Sequence, residues 1–193
     1  MSSTAPPPLD LPGQGVGWLE RQLLGAGVRA SARFYGKDRL TDLFRREAER
    51  ALVAARSLSE ARGRQRVRIE RFIGIEDSSR DWSVYMTLEH LVIVNTAIAA
   101  ILPQLYSGSL IGTQVRSEEV KPVPEAGPEQ IDDLAALVER YTEIVDKLGN
   151  LHTGAKLPHP WFGPLSAAQW HALATIHNST HRRQIERIKQ ALG

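Results

Sequence analysis

A chain of 193 residues is long enough to bury one well-formed core and short for two. Apolar residues make up 42% and charged residues 24%, the balance of an ordinary soluble domain. A net charge of +2 gives no electrostatic case for a nucleic-acid partner, and the absence of cysteine removes disulfides, thiolate metal ligands and a cysteine nucleophile.

Residues 1 to about 17 are rich in Pro and Gly and read as a mobile arm. The start, Met1-Ser2-Ser3-Thr4-Ala5-Pro6-Pro7-Pro8, lacks the basic and apolar regions of a signal peptide, so a cytoplasmic location is expected. Residues 18–24 suit a short helix that Gly25 and Gly27 would end. Residues 1–37 are thus expected to be an N-terminal arm with a short helix, and residues 38–193 the folded domain.

The first long helix is expected to start near Asp38 or Thr41 and to stop near Gly63. Leu40, Phe44, Ala48, Ala51, Ala55 and Leu58 recur at helical spacing and make its buried stripe. In the connection that follows, Arg62, Arg64, Arg66 and Arg68 alternate along an extended edge. No aromatic residues interleave them, which favours a solvated connection over a nucleic-acid patch.

The second helix spans about 81 to 105, with Ser78, Ser79 and Asp81 as candidate caps. Between positions 82 and 105 only Glu89 is formally charged, so the segment must be tested as a membrane span. Glu89, His90, Asn95 and Gln104 interrupt it, and it stands alone in a polar chain. The central helix of a bundle explains it better than a span. Residues 106–127 then carry Gly108, Gly112, Pro122, Pro124 and Gly127, the composition of a crossover connection.

Pro128 suits the first position of a third helix, with the stripe Ile131, Leu134, Val138, Tyr141, Val145, Leu148. Gly149-Asn150 ends it and a loop runs from 151 to 165. For the fourth helix Ser166 is the N-cap and Gln169 its capping-box partner, with Leu165 and Trp170 as hydrophobic staple. No strand pattern competes. The expected fold is all-α, a four-helix bundle with a long crossover connection.

The stripe of the last helix reads Trp170, Leu173, His177, His181, Gln184, Ile188. It aims two imidazoles, four residues apart, into a core. Their Cβ atoms should lie roughly 5–6 Å apart, close enough to share one ion. His90, inside the most apolar helix, is the candidate third ligand. Hydrogen-bonded core histidines remain the competing explanation for each of the three. His171 shares a face with Asn178 and Arg182 and is expected to be solvated. His159, in Pro158-His159-Pro160-Trp161-Phe162-Gly163, could reach a pocket over a bundle end, but turn chemistry is the simpler account. Glu89 points about 100° away from His90 and is a poor co-ligand. Glu143 and Asp146 are weaker acid-base candidates. No phosphate loop, GxGxxG or nucleophile elbow is present.

The segments Glu89-His90-Leu91 and His177-Asn178-Ser179-Thr180-His181-Arg182-Arg183-Gln184-Ile185, with the run from Pro158 to Ser166, resemble the DinB/YfiT-like superfamily, and specifically a branch of unknown function. The likeness covers roughly residues 38–193. Arg182 and Arg183 stand where the family motif often has a second histidine and a glycine, a departure that leaves the ligand positions intact. The resemblance implies a four-helix bundle and a divalent ion, nickel or zinc, on His90, His177 and His181 with open positions. It also implies transferase or isomerase chemistry with low-molecular-weight thiols such as bacillithiol, mycothiol or glutathione. The expected partners are then a small thiol and an electrophilic substrate, with no nucleic acid and no membrane, and a homodimer as candidate assembly. Without cysteine, the thiol would arrive with the substrate. Trp161 and Phe162 would contact that substrate, with residues 106–127 and 151–165 as walls. The alternative is a non-catalytic metal-binding or protein-interaction bundle.

Overall fold

The amphipathic stripes close on one another as an all-α four-helix bundle with two short β pairs at its ends. The computed structural model describes residues 8–11, 15–109 and 120–193. Its elements in order are α1 (Trp18–Phe34), α2 (Lys37–Arg56), α3 (Glu60–Arg64), β1 (Val67–Arg68), β2 (Asp81–Trp82), α4 (Val84–Ser107), α5 (Glu129–Lys147), β3 (Lys156–His159), β4 (Gly163–Ser166) and α6 (Ala167–Leu192). The four bundle helices are α2, α4, α5 and α6.

Contacts at the helix ends fix their directions. Lys37 at the start of α2 donates to the carbonyls of Val145 and Leu148 at the end of α5. Arg64 donates to Glu125 O just before α5, so α5 begins where α2 and α3 end. Thr153, beyond α5, donates to Leu105 O near the end of α4. Arg62 caps the last carbonyls of α6. Helices α4 and α5 therefore run parallel, opposed by α2 and α6, and the chain must cross the length of the bundle between α4 and α5. The central part of that crossover, 110–119, lies outside the described residues. Its far end is held at the side of α4, where Glu89 Oε2 accepts from Val123 N at 2.7 Å.

Phe44, Leu88, Leu91, Leu102, Leu134, Tyr141, Trp170 and Ile185 are all sealed from solvent in one core. Helix α4 is long and apolar enough to cross a membrane by composition alone. Here most of its apolar surface lies inside the bundle, so that composition reflects its central place.

Several local expectations are corrected. The first helix does not end at Gly25 and Gly27 but continues to Phe34. A helical glycine costs about 1 kcal/mol relative to alanine. Docking of Val28 and Ala32, both buried, against α6 offsets that cost. Gly25 also eases the close approach of the hairpin: a Cβ there would stand 3.3 Å from the Phe162 ring and 2.9 Å from Arg29 Nη1, the movable end of its side chain. The arm proposed for residues 1–17 falls partly outside the described residues. Within it, Val16 is buried and Asp10 N donates to Asp77.

The cap of α4 is Ser83, whose Oγ accepts from Met86 N at 3.1 Å, and not Ser78, Ser79 or Asp81. Asp81 and Trp82 are instead paired antiparallel with Val67 and Arg68. The alternating arginines are fasteners. Arg62 holds α6, Arg64 pairs with Glu60, and Arg66 pairs with Asp81. The loop at 151–165 contains a hairpin, with Leu157 opposite Leu165 and His159 opposite Gly163.

Candidate metal centre

Helix α6 begins with the expected capping box, Gln169 Oε1 accepting from Ser166 N at 3.0 Å. Its fixed start sets the rotation of everything that follows. His177 and His181, one turn apart, both face α4, and His90 meets them there. One ring nitrogen from each of the three lies within 4.8 Å of the others. The ring centroids are 4.3 to 5.0 Å apart. Trp82, delivered by β2, lies over His90 and His181 at centroid distances of 5.1 and 6.3 Å.

The remaining hydrogen bonds choose the tautomers. His90 Nδ1–H donates to Val120 O at 2.6 Å, which leaves the Nε2 lone pair pointing at the cluster. His181 Nδ1–H donates to Gln184 Oε1 at 2.7 Å, and Gln184 in turn donates to Ser79 O at 2.8 Å. His177 Nε2 is 3.1 Å from His90 Nε2, while its Nδ1 is buried without a protein partner among the described residues. Burial lowers the His90 pKa to about 4, against the opposing pull of the Val120 bond. Burial also holds His177 and His181 well below the ordinary imidazole value, and the facing imidazoles add to this. All three rings are therefore neutral at pH 7, the state in which imidazole binds a metal.

A divalent ion fits this donor set. Two nitrogens bound to one zinc-sized ion at 2.0–2.1 Å lie roughly 3.0–3.4 Å apart, and the His90–His177 pair already sits at 3.1 Å. The oriented Nδ1–H groups of His90 and His181 are the support that metal-bound histidines ordinarily have. Among the described residues no carboxylate joins the cluster. Glu89, on the neighbouring face of α4, is engaged with Val123. Glu143 and Asp146 are exposed on α5, which removes them as acid-base candidates.

Beside the cluster lies a cavity of about 140 Å³. Ile98, Ile101, Leu173, Trp82, Trp161 and Trp170 supply most of its apolar wall, and Lys121 and Glu76 are the charged residues on it. His159 reaches this cavity from the β3–β4 hairpin. The neighbouring Phe162 does not line it, and instead stacks on the His159 ring at 4.6 Å.

His171 overturns its sequence expectation. It is completely buried, because the face it shares with Asn178 and Arg182 packs against α2. Asn178 donates to Phe44 O, and Arg182 pairs with Glu47. These polar residues suggested a wet face, but each has a partner on α2, which a single helix's pattern does not reveal.

No curated protein matches this chain. Among solved structures it is similar to TT2238, a four-helix bundle protein, at 22% identity and a TM-score of 0.51. The match covers 78% of this chain and 98% of that one, and at this identity it speaks for the fold alone. A family model matches residues 57–188, a stretch that holds all three histidines, and by that match the chain belongs to the family described as "Protein of unknown function (DUF1569)".

Proposed function

We propose that His90, His177 and His181 hold a catalytic divalent ion, nickel or zinc, and that the protein uses it to activate a low-molecular-weight thiol against an electrophile bound in the adjoining cavity. The observation that carries the metal reading is the pair of fixed tautomers. Val120 O and Gln184 Oε1 take the Nδ1 protons of His90 and His181, so two buried lone pairs face the same point. The thiol half rests on the resemblance to the DinB/YfiT-like superfamily and on the absence of an internal thiol.

A bound ion of this kind supplies Lewis acidity and can ionise a coordinated thiol, which free in water is only a few per cent thiolate at pH 7. The chain's own residues do the rest. The Val120 and Gln184 bonds keep two rings in register. Trp82 shields the cluster from bulk water on one side. Ile98, Ile101 and Leu173 offer a dry wall against which an electrophile can lie near the thiol.

Protein purified without an affinity tag should carry close to one equivalent of divalent metal. Loaded with Ni²⁺ or Co²⁺, it should develop a sulfur-to-metal charge-transfer band with one of a panel of small thiols. It should also turn over an electrophile such as monochlorobimane with that thiol, and lose turnover in His90→Ala and His177→Ala. Rates equal to the metal-plus-thiol background for every pair would sink the thiol half and leave the metal half standing.

One observation favours a second reading. The 3.1 Å His90–His177 separation also suits an N–H···N hydrogen bond. In that case the cluster is a polar core of a non-catalytic bundle, and metal analysis finds nothing above background.

A further inference from the structure

Three of the four tryptophans in the chain, Trp82, Trp161 and Trp170, line the cavity beside the histidine cluster; the fourth, Trp18, is 74% exposed. They come from three separate elements: β2, the β3–β4 turn and α6. Such a convergence makes flat apolar surfaces facing one small space. An engineered cavity of about 150 Å³ lined by Leu, Ile and Phe takes up benzene, and this one has about 140 Å³. Its size and walls fit a single aromatic ring.

Among the donors on the wall besides the cluster, His159 has a ring held in one orientation. Trp161 N donates to His159 Nδ1 at 3.1 Å. A nitrogen that accepts an N–H bears no proton, so the ring proton of the neutral imidazole sits on Nε2. That N–H has no acceptor among the described residues, and it is not sealed away as a buried unsatisfied atom. Phe162 stacked at 4.6 Å and Trp170 at 5.3 Å fix the plane of the ring. Burial lowers the pKa of His159 to about 4, which keeps it neutral at pH 7. The hairpin thus spends the Nδ1 side of the ring on its own turn and leaves the Nε2–H unbonded among the described residues, on a residue that lines the cavity.

From these observations we infer that the cavity binds an uncharged, single-ring aromatic molecule bearing a carbonyl oxygen, and that His159 Nε2–H is the donor that selects and orients that oxygen. An aromatic carboxylate is disfavoured, because the wall carries Lys121 and Glu76 together and so offers no net positive charge to offset the desolvation of an anion. The inference deepens the proposed function by taking the histidine cluster as the reacting end of this cavity, and to that extent rests on it. Ring and carbonyl binding, however, needs only the cavity and the hairpin.

The test is calorimetric titration of the full chain with acetophenone, with isopropylbenzene, which has the same heavy-atom skeleton but no acceptor, and with benzoate, in chelator-treated and in metal-loaded protein. Acetophenone should bind at least fivefold more tightly than either of the others. In a ¹H–¹⁵N spectrum the indole N–H signals of Trp82, Trp161 and Trp170 should move on binding, and that of Trp18 should not. His159→Asn keeps an oxygen near Nδ1 for the Trp161 N–H but removes the Nε2 donor. It should weaken acetophenone about fivefold to tenfold, the contribution of one hydrogen bond, and change isopropylbenzene less than twofold. His159→Gln, which returns an amide N–H near the Nε2 position, should restore part of the loss. No binding of acetophenone up to millimolar concentration overturns the inference. Equal weakening of acetophenone and isopropylbenzene in His159→Asn overturns the role of His159, reducing it to hairpin structure. Acetophenone binding in a protein that proves to hold no metal would sustain this inference while the metal reading fails.

Discussion

Helix α6 carries two kinds of buried histidine, less than three turns apart. His171 is completely enclosed, and both its nitrogens are used. Thr41 spends its hydroxyl proton on Lys37 O, so His171 Nε2–H donates to Thr41 at 3.1 Å, and Tyr141 O–H donates to His171 Nδ1 at 3.0 Å. His177 and His181 are also packed into the bundle, but with His90 they turn nitrogens toward one another, and His177 Nδ1 has no protein partner. Burial alone therefore does not mark a functional histidine in this fold. What separates the two sets is whether the protein itself satisfies the ring.

That distinction breaks first at His181→Ala. If the cluster is a metal site, losing one of three ligands should remove about 3–4 kcal/mol of binding, a loss of a hundredfold to a thousandfold in affinity. A competition titration with a chromophoric chelator reads it. An unchanged affinity would place His181 in the same class as His171.

The second way to sharpen the contrast is acid. Burial lowers the pKa of His171 to about 4. The unfolded chain, with an ordinary imidazole near 6.5, binds the proton first as pH falls. Stability from this residue is therefore fully present above about pH 6.5 and is lost between there and about pH 4, by about 3 kcal/mol. His171→Gln retains hydrogen-bonding capacity but does not titrate. Urea unfolding of both proteins in chelator should show the variant's stability falling less over that window by this amount. Parallel pH curves would show that His171 is not held neutral.

Gln184→Leu comes next. It removes the acceptor that orients His181 while leaving all three ligands, so metal affinity should fall about 10–100-fold. An effect below threefold would mean that the His181 tautomer is not what prepares the site. The smallest effect is expected at Glu89→Ala, which frees Val123 N and loosens the crossover beside His90. Stability should fall by about 1 kcal/mol, and proteolysis should become faster between Val120 and Pro124.

The sequence revealed the histidine cluster better than its surroundings. His177, His181 and Gln184 share a stripe with Trp170, Leu173 and Ile188, and that period survives folding because α6 starts at a firm capping box. His90 was legible from its apolar neighbours. The misreading of His171 came from the same helix, since a polar face that finds partners on α2 looks the same in one dimension as a solvated one. Helix α1 was underread because Gly25 and Gly27 carry a local cost that only the packing of Val28, Ala32 and Phe162 offsets. The β3–β4 hairpin was hidden by Pro158 and Pro164, which sit directly opposite each other in the pair. No alternating pattern marked it, and with it went the place of His159.

His90 and His177 are 87 residues apart in sequence. An ion shared by them would tie two distant points of the chain together, as a disulfide does in proteins with cysteine. For a closed loop of that length, loss of unfolded-state entropy is worth about 4–5 kcal/mol on the scale used for disulfides. This cysteine-free chain would then own a long-range staple that a chelator can open and an ion can close, with no oxidant or reductant involved.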